Sequence, residues 1–202
     1  MWKCKTPEDS QDKQLAIEYF EKKGVEARLF PKTSAMPNPD LKLYIDGNLF
    51  AYCELKSIMP YELELPSNFP SGQIYQTLHN DPTFNSIQNK IHEASKQLKS
   101  VNPDHDLSNI VFFVNHQKYR GIQDLRWVIK GLPSEKAPDV FDPTYLRRLF
   151  EKDDLSVVDY IVWIDSFSNK AFYYVRSESP FRDILKQRIS SKACEILTKP
   201  FI

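Results

Sequence analysis

Thirteen residues separate Asp40 from Glu54, and Lys56 follows two positions later. A pair of carboxylates can hold a hard divalent cation such as Mg²⁺, which takes one or two acidic ligands and keeps waters and substrate phosphate in its other positions. A lysine beside them can position or help deprotonate an attacking water and balance charge on a phosphate. The residue types therefore point to metal-assisted hydrolysis at phosphorus, provided the chain brings them to one place.

The stretch that carries them, MPNPDLKLYIDGNLFAYCELKS, consists of two apolar-alternating runs joined by Asp46-Gly47-Asn48, which reads as a β-hairpin. With a two-residue Asp46-Gly47 turn, Asp40 would face Cys53 and leave Glu54 on the opposite side of the sheet. With a three-residue loop, Ile45 pairs Leu49, Leu43 pairs Ala51 and Leu41 pairs Cys53, all on one apolar face. The other face then pairs Tyr44 with Phe50, Lys42 with Tyr52 and Asp40 with Glu54, with Lys56 further along. The apolar pattern selects this second register. Opposed carboxylates repel in a sheet, an objection that a bound cation removes.

Around the hairpin, elements alternate in type. Asp9 to Lys23 carries Leu15, Ala16, Tyr19 and Phe20 at helical spacing with Gly24 as a stop, and Val25 to Phe30 reads as a short strand. The hairpin strands span about 40 to 45 and 49 to 56. Residues 57 to 83 hold Pro60, Pro66, Pro70, Gly72 and Pro82, the pattern of a long loop. Helical spacing returns from Phe84 to Ser100, and Ile110 to Val114 is a buried-strand run. Beyond a proline-rich stretch at 131 to 143, a short helix is expected at 144 to 151, strands at 157 to 164 and 171 to 176, and a terminal helix at 181 to 197. The order is α-β-β-β-α-β with an appended β-β-α, an α/β or α+β sheet flanked by helices in a single domain.

Pro39-Asp40, thirteen residues, then Glu54-Leu55-Lys56 resembles the signature of the PD-(D/E)xK nuclease superfamily, which includes restriction enzymes, junction resolvases and repair nucleases. Pro103-Asp104, Pro138-Asp139 and Glu21-Lys22-Lys23 repeat parts of the string, but only the 39 to 56 copy lies on a hairpin whose register gathers the charges. The resemblance implies a restriction-endonuclease-like core over about residues 9 to 115, with 116 to 202 as a C-terminal elaboration. It implies a metal-dependent phosphodiesterase, most simply a DNA endonuclease, using Mg²⁺ with Mn²⁺ able to substitute. Asp40, Glu54 and the Leu55 backbone carbonyl would hold the metal, and Lys56 would act beside it. In the family a carboxylate from the first helix often joins the site; Glu18 is the first candidate here, with Glu8, Asp12 and Glu21 as alternatives. Family members also often use a Gln or Lys on the helix after the motif.

On that helix Gln88, His92, Ser95 and Lys99 share one face, and Gln88 and His92 are taken as substrate-binding candidates. Lys118 and Arg120 join them from the basic run NHQKYR at 115 to 120, and Arg182, Lys186, Arg188 and Lys192 form a second basic cluster. The Ser57 to Pro82 loop leaves the motif strand directly and is expected to border the substrate groove, with Tyr61, Phe69 and Tyr75 available to stack on bases or to pack the loop down. His79, His105 and His116 form no metal spacing and receive no role.

Composition sets the outer limits. The 202 residues are 41% hydrophobic and 13% aromatic, with 27 basic and 27 acidic side chains. Such a chain can bury a core, and its neutrality counts against a nonspecific DNA binder. Cys4, Cys53 and Cys194 have no metal spacing and read as reduced thiols. With no signal-like start and no apolar run of spanning length, a cytoplasmic protein without membrane contact is expected. P-loop, nucleophile-elbow, dinucleotide and zinc-protease motifs are absent. The partner is expected to be nucleic acid, DNA before RNA, and a homodimer is one arrangement that duplex cutting would use. The alternative is a catalytically inactive module of the same fold that binds nucleic acid or protein.

Overall fold

In the computed structural model the described residues are 7–31, 38–59, 82–118, 121–130, 132–134, 137–142, 153–168 and 170–190. Residues 60–81 of the expected Ser57 to Pro82 loop, the expected helix at 144 to 151, Arg120, Cys4, Cys194, His79 and residues 191 to 197 of the terminal helix lie outside them.

The chain begins with α1 (Pro7–Glu21), then β1 (Glu26–Leu29), β2 (Leu41–Ile45) and β3 (Asn48–Ile58), followed by α2 (Pro82–Val101) and β4 (Ser108–Asn115). Next come α3 (Ile122–Lys130), the short strands β5 (Leu132–Ser134) and β6 (Ala137–Asp142), and α4 (Asp154–Val157). The remainder is β7 (Tyr160–Asp165), β8 (Lys170–Val175), α5 (Arg182–Leu185) and a π-helical turn over Lys186–Ser190. Six strands form one mixed sheet in the order β1-β2-β3-β4-β7-β8. The β1/β2, β2/β3 and β7/β8 pairs are antiparallel, whereas β3/β4 and β4/β7 are parallel. The expected β-β-α extension thus continues the sheet that carries the motif.

Each face of the sheet has its own core. On one, Ala16 and Phe20 of α1 and Leu185 of α5 pack on Leu41, Leu43, Ala51, Cys53, Ile110, Phe112 and Val162. On the other, Ile87, Ile91, Ala94 and Leu98 of α2 and Leu125, Val128 and Ile129 of α3 pack on Val111, Phe113, Ile161 and Trp163. Burying each such side chain contributes about 1.5–3 kcal/mol. β4 is buried along its whole length, as a central parallel strand covered on both faces must be, and this explains its unbroken Ile-Val-Phe-Phe-Val run.

Local chemistry sets the ends of these elements. Gly24 (φ 74°) ends α1, with its N–H on the Glu21 carbonyl at 2.8 Å and the Val25 N–H on the Phe20 carbonyl at 3.0 Å. This double closure needs a left-handed residue, and glycine adopts that conformation without a Cβ clash. The hairpin corrects the expected register near its tip. Leu41 pairs Cys53, Lys42 pairs Tyr52 and Leu43 pairs Ala51 as read, but Tyr44 pairs Leu49 and Ile45 pairs Asn48, with the register shifting beyond Leu43. Asp46 (φ 51°) and Gly47 (φ 80°) form the two-residue turn. The strand twist favours that turn, and Phe50, as a one-residue bulge, restores the apolar register further down. α3 and the β5/β6 ribbon are additions to the expected order, which places no element at 122 to 130 and none in the proline-rich stretch that holds the ribbon.

Candidate functional site

β3 presents Leu55 with Cys53 to the α1 face of the sheet and Glu54 with Lys56 to the α2 face. Asp40 precedes β2, and its N–H donates to the Cys53 carbonyl at 3.1 Å, so the β2/β3 register carries it alongside Glu54. Asp40 Oδ2 accepts the Leu55 N–H at 3.1 Å. In an extended strand the N–H and C=O of one residue point to the same edge, so the Leu55 carbonyl is directed toward Asp40 as well. Asp40 Oδ1 lies 2.8 Å from Lys13 Nζ of α1. Lys56 Nζ lies 3.1 Å from Glu54 Oε1 and 3.0 Å from Gln97 Oε1, with the exposed Glu93 at 3.5 Å.

Both acids are inside the protein, Asp40 at 9% and Glu54 at 3% exposure. Burial, then the neighbouring Asp40 charge, push the Glu54 carboxyl up from 4.5 to about 7, against the opposing pull of Lys56. Glu54 Oε2 is buried and has no hydrogen-bond partner among the described residues. An uncompensated carboxylate oxygen in such a place costs free energy unless a proton or a cation meets it. Lys90 of α2 is pulled down by burial first and by Lys56 second, with Glu93 opposing. The Cys53 thiol is pushed up by burial and then by Asp40 and Glu54.

The other candidate residues are dispersed. Glu18 is exposed on α1, where it accepts from Gln14 Nε2 at 3.1 Å, and Glu21 is exposed too. Asp12, among the alternatives for the first-helix acid, is buried at the end of β3, where it accepts from Ser57 Oγ and lies 3.0 and 3.1 Å from His116 Nε2. Gln88 is buried on α2. His92 Nδ1 meets the Asp154 carboxylate at 2.8 and 2.9 Å, and Ser95 Oγ donates to the Asp154 carbonyl at 2.9 Å, so that helix face is joined to α4. Lys118 is exposed just beyond β4.

The sequence reading gives Lys13 no role and does not pair Asp12 with His116; on the helix after the motif it offers Lys90 and Gln97 alongside Gln88, His92, Lys96 and Lys99, but does not single out the face that they share with Glu93. A signal for the first was present. Asp12 and Lys13 stand three or four residues before Ala16, which precedes Phe20 by four, so the two charged residues fall on the helix stripe that must face the sheet.

Asp40, Glu54 and the Leu55 carbonyl form an all-oxygen donor set suited to a small hard cation, and the unpartnered Glu54 Oε2 fits such a ligand. Among the described residues no group of three or more His, Cys, Asp or Glu side chains is placed to hold a metal ion; the third donor in this set is a backbone oxygen. Compared with protein-family models, curated proteins and solved structures, the chain matches none. Among the described residues no helix is long and apolar enough to cross a membrane.

Proposed function

We propose that this protein is a metal-dependent nuclease with a restriction-endonuclease-like core, hydrolysing phosphodiester bonds in nucleic acid, DNA before RNA. One observation carries the reading: two buried carboxylates, one with an oxygen lacking a partner, converge beside a lysine on the strand where the PD-(D/E)xK resemblance requires them. The cofactor is Mg²⁺, with Mn²⁺ able to replace it, and when bound it would supply a polarised water and charge neutralisation at the phosphate.

The chain's own groups account for the rest. Asp40, fixed by the Leu55 N–H, and Glu54, fixed by Lys56, would hold the cation with the Leu55 carbonyl. A Glu54 carboxyl near 7 gives up its proton to a cation at little cost around neutral pH. Lys56, held by Glu54 and Gln97, places an ammonium where it can stabilise charge developing on the scissile phosphate. A cytoplasmic setting is a further part of the proposal, and a homodimer is one arrangement that duplex cutting would use. A second reading, a catalytically inactive module, is favoured by the Lys13–Asp40 and Lys56–Glu54 ion pairs, which neutralise the site without a cation.

The deciding experiment offers linear, supercoiled, branched and single-stranded DNA and RNA to the protein with Mg²⁺ or Mn²⁺. Wild type should cleave at least one of them. Asp40→Asn and Glu54→Gln should abolish cleavage with the fold intact by circular dichroism. Lys56→Ala should slow it by about 10²-fold or more without weakening Mn²⁺ binding, because a charged lysine is no metal ligand. Wild-type activity in Asp40→Asn or Glu54→Gln would refute the reading.

A further inference from the structure

Asp40 has both oxygens engaged before any cation arrives. Oδ2 accepts the Leu55 N–H at 3.1 Å, and Oδ1 is 2.8 Å from Lys13 Nζ. The Lys13 and Asp40 side chains are each only 11% exposed, so their attraction is weakly screened. α1 is fastened on both sides of this contact. Asp12, the preceding residue, binds Ser57 and His116, and Ala16 and Phe20 are fully buried in the core that α1 shares with the sheet. Lys13 is therefore delivered to Asp40 by an anchored helix.

The geometry points to Lys13 as a positioning residue for the proposed metal site: its ammonium is the internal cation that orients Asp40 and that a divalent ion must displace from Oδ1, so Lys13 sets the site's cation affinity. This rests on the nuclease reading for its purpose and on the ion pair for its physics. At 2.8 Å and in a partly buried setting, the attraction between the two charges is stronger than at an exposed surface site. Desolvation of the pair removes part of that, yet what remains is ample to change a dissociation constant by tenfold or more. Neutralising Lys13 removes a positive charge that competes for Asp40 Oδ1 and should tighten divalent binding. A lysine serving only to hold α1 down would act in the opposite direction, since its loss would loosen the site and weaken binding.

The test is calorimetric titration of Mn²⁺ alone into wild type, Lys13→Met, Lys13→Arg and Asp40→Asn, each checked for its fold by circular dichroism and melting. Lys13→Met should bind Mn²⁺ at least about tenfold more tightly than wild type. Lys13→Arg, which keeps the charge, should stay within about threefold of wild type, and Asp40→Asn should lose binding. Equal or weaker binding in a folded Lys13→Met would overturn the inference, as would failure of all variants to bind. Cleavage assays distinguish this from the parent reading. Tighter Mn²⁺ binding in Lys13→Met with no nucleic acid cleaved by any form would leave Lys13 as the competing cation and defeat the nuclease; cleavage by wild type with unchanged affinity in Lys13→Met would do the reverse.

Discussion

Two buried carboxylates on the same sheet are treated in opposite ways. Asp159, just before β7, is fully buried and surrounded by donors. Its Oδ2 accepts the Asn109 N–H at 2.8 Å and meets His105 Nε2 at 2.7 Å, while Oδ1 accepts Ser179 Oγ at 2.6 Å and Arg176 NH2 at 3.0 Å. Glu54 is nearly as buried, yet it has Lys56 on one oxygen and, among the described residues, no hydrogen-bond partner on the other, and its carboxyl is pushed up to about 7. A carboxylate saturated by donors ties elements together; Asp159 joins the beginnings of β4 and β7 to the segment after β8. A carboxylate left short of donors retains capacity for a ligand at a cost in stability. The strand directions fit the same division. β3, β4 and β7 are parallel, and Glu54 to Ser57 lie toward the C-terminal end of β3, the end at which open parallel sheets bind ligands, whereas Asp159 lies at the N-terminal end of β7.

The largest effect expected in breaking this contrast is at Asp159. Asp159→Ala strands Arg176, Ser179, His105 and the Asn109 N–H around a buried position, and removing one partner of a buried charged network costs about 3–5 kcal/mol. Urea or thermal denaturation should register that loss, while specific activity per folded molecule stays unchanged. Glu54→Gln should do the reverse, removing activity with little loss of stability. If Asp159→Ala melted like wild type, saturation by donors would not be what distinguishes the two carboxylates.

A smaller effect is expected from pH. The folded-state Glu54 carboxyl titrates near 7, above its ordinary value of 4.5, so the native protein binds more protons than the unfolded chain between those values. The contribution is fully present below about pH 4.5 and is lost as pH rises through about 7, with an upper bound of roughly 3 kcal/mol from the size of the shift. Metal-free protein should therefore lose stability over that window, and Glu54→Gln should lack that component. Melting temperatures of both proteins across the window measure it. A wild-type profile parallel to that of Glu54→Gln would mean that Glu54 is not held protonated by its surroundings.

How far the sequence reached depends on whether a feature is local. The six sheet strands, the helix stops and the pairing of Leu41 with Cys53 follow from alternation, Gly24 and the apolar register, all confined to short stretches. The tip of the hairpin was misread because an Asp-Gly turn and an apolar register that disagree by one residue can both be satisfied by a bulge, which leaves no mark in the composition. α3 carries a signal, with Leu125, Val128 and Ile129 at helical spacing, but it is a short segment between the basic run at 115 to 120 and the proline-rich stretch at 131 to 143. Contacts made between distant segments were out of reach. Lys13 with Asp40, Asp12 with His116 and Lys56 with Gln97 depend on how α1 and α2 dock, which periodicity does not specify residue by residue.

The smallest expected effect concerns His92, which shares an α2 face with Gln88 and was a substrate-binding candidate for that reason. Its Nδ1 is committed to Asp154, whose backbone carbonyl also accepts from Ser95, so this face closes on α4 in the manner of Asp159. The residues of α2 that reach Lys56 are Gln97 and Glu93, about a third of a turn away around the helix. His92→Gln keeps a donor near Asp154 and should cost about 1 kcal/mol of stability, the net worth of an ordinary hydrogen bond. Cleavage rate and nucleic-acid affinity should remain within about twofold of wild type, whereas Gln97→Ala, which removes an acceptor from Lys56, should lower the cleavage rate by more than His92→Gln does. Measured side by side in single-turnover cleavage and equilibrium binding, the two variants separate the faces of one helix. A folded His92→Gln that bound nucleic acid tenfold more weakly would place substrate on the α4 side, and the division between scaffold and site drawn from Asp159 and Glu54 would then not extend to α2.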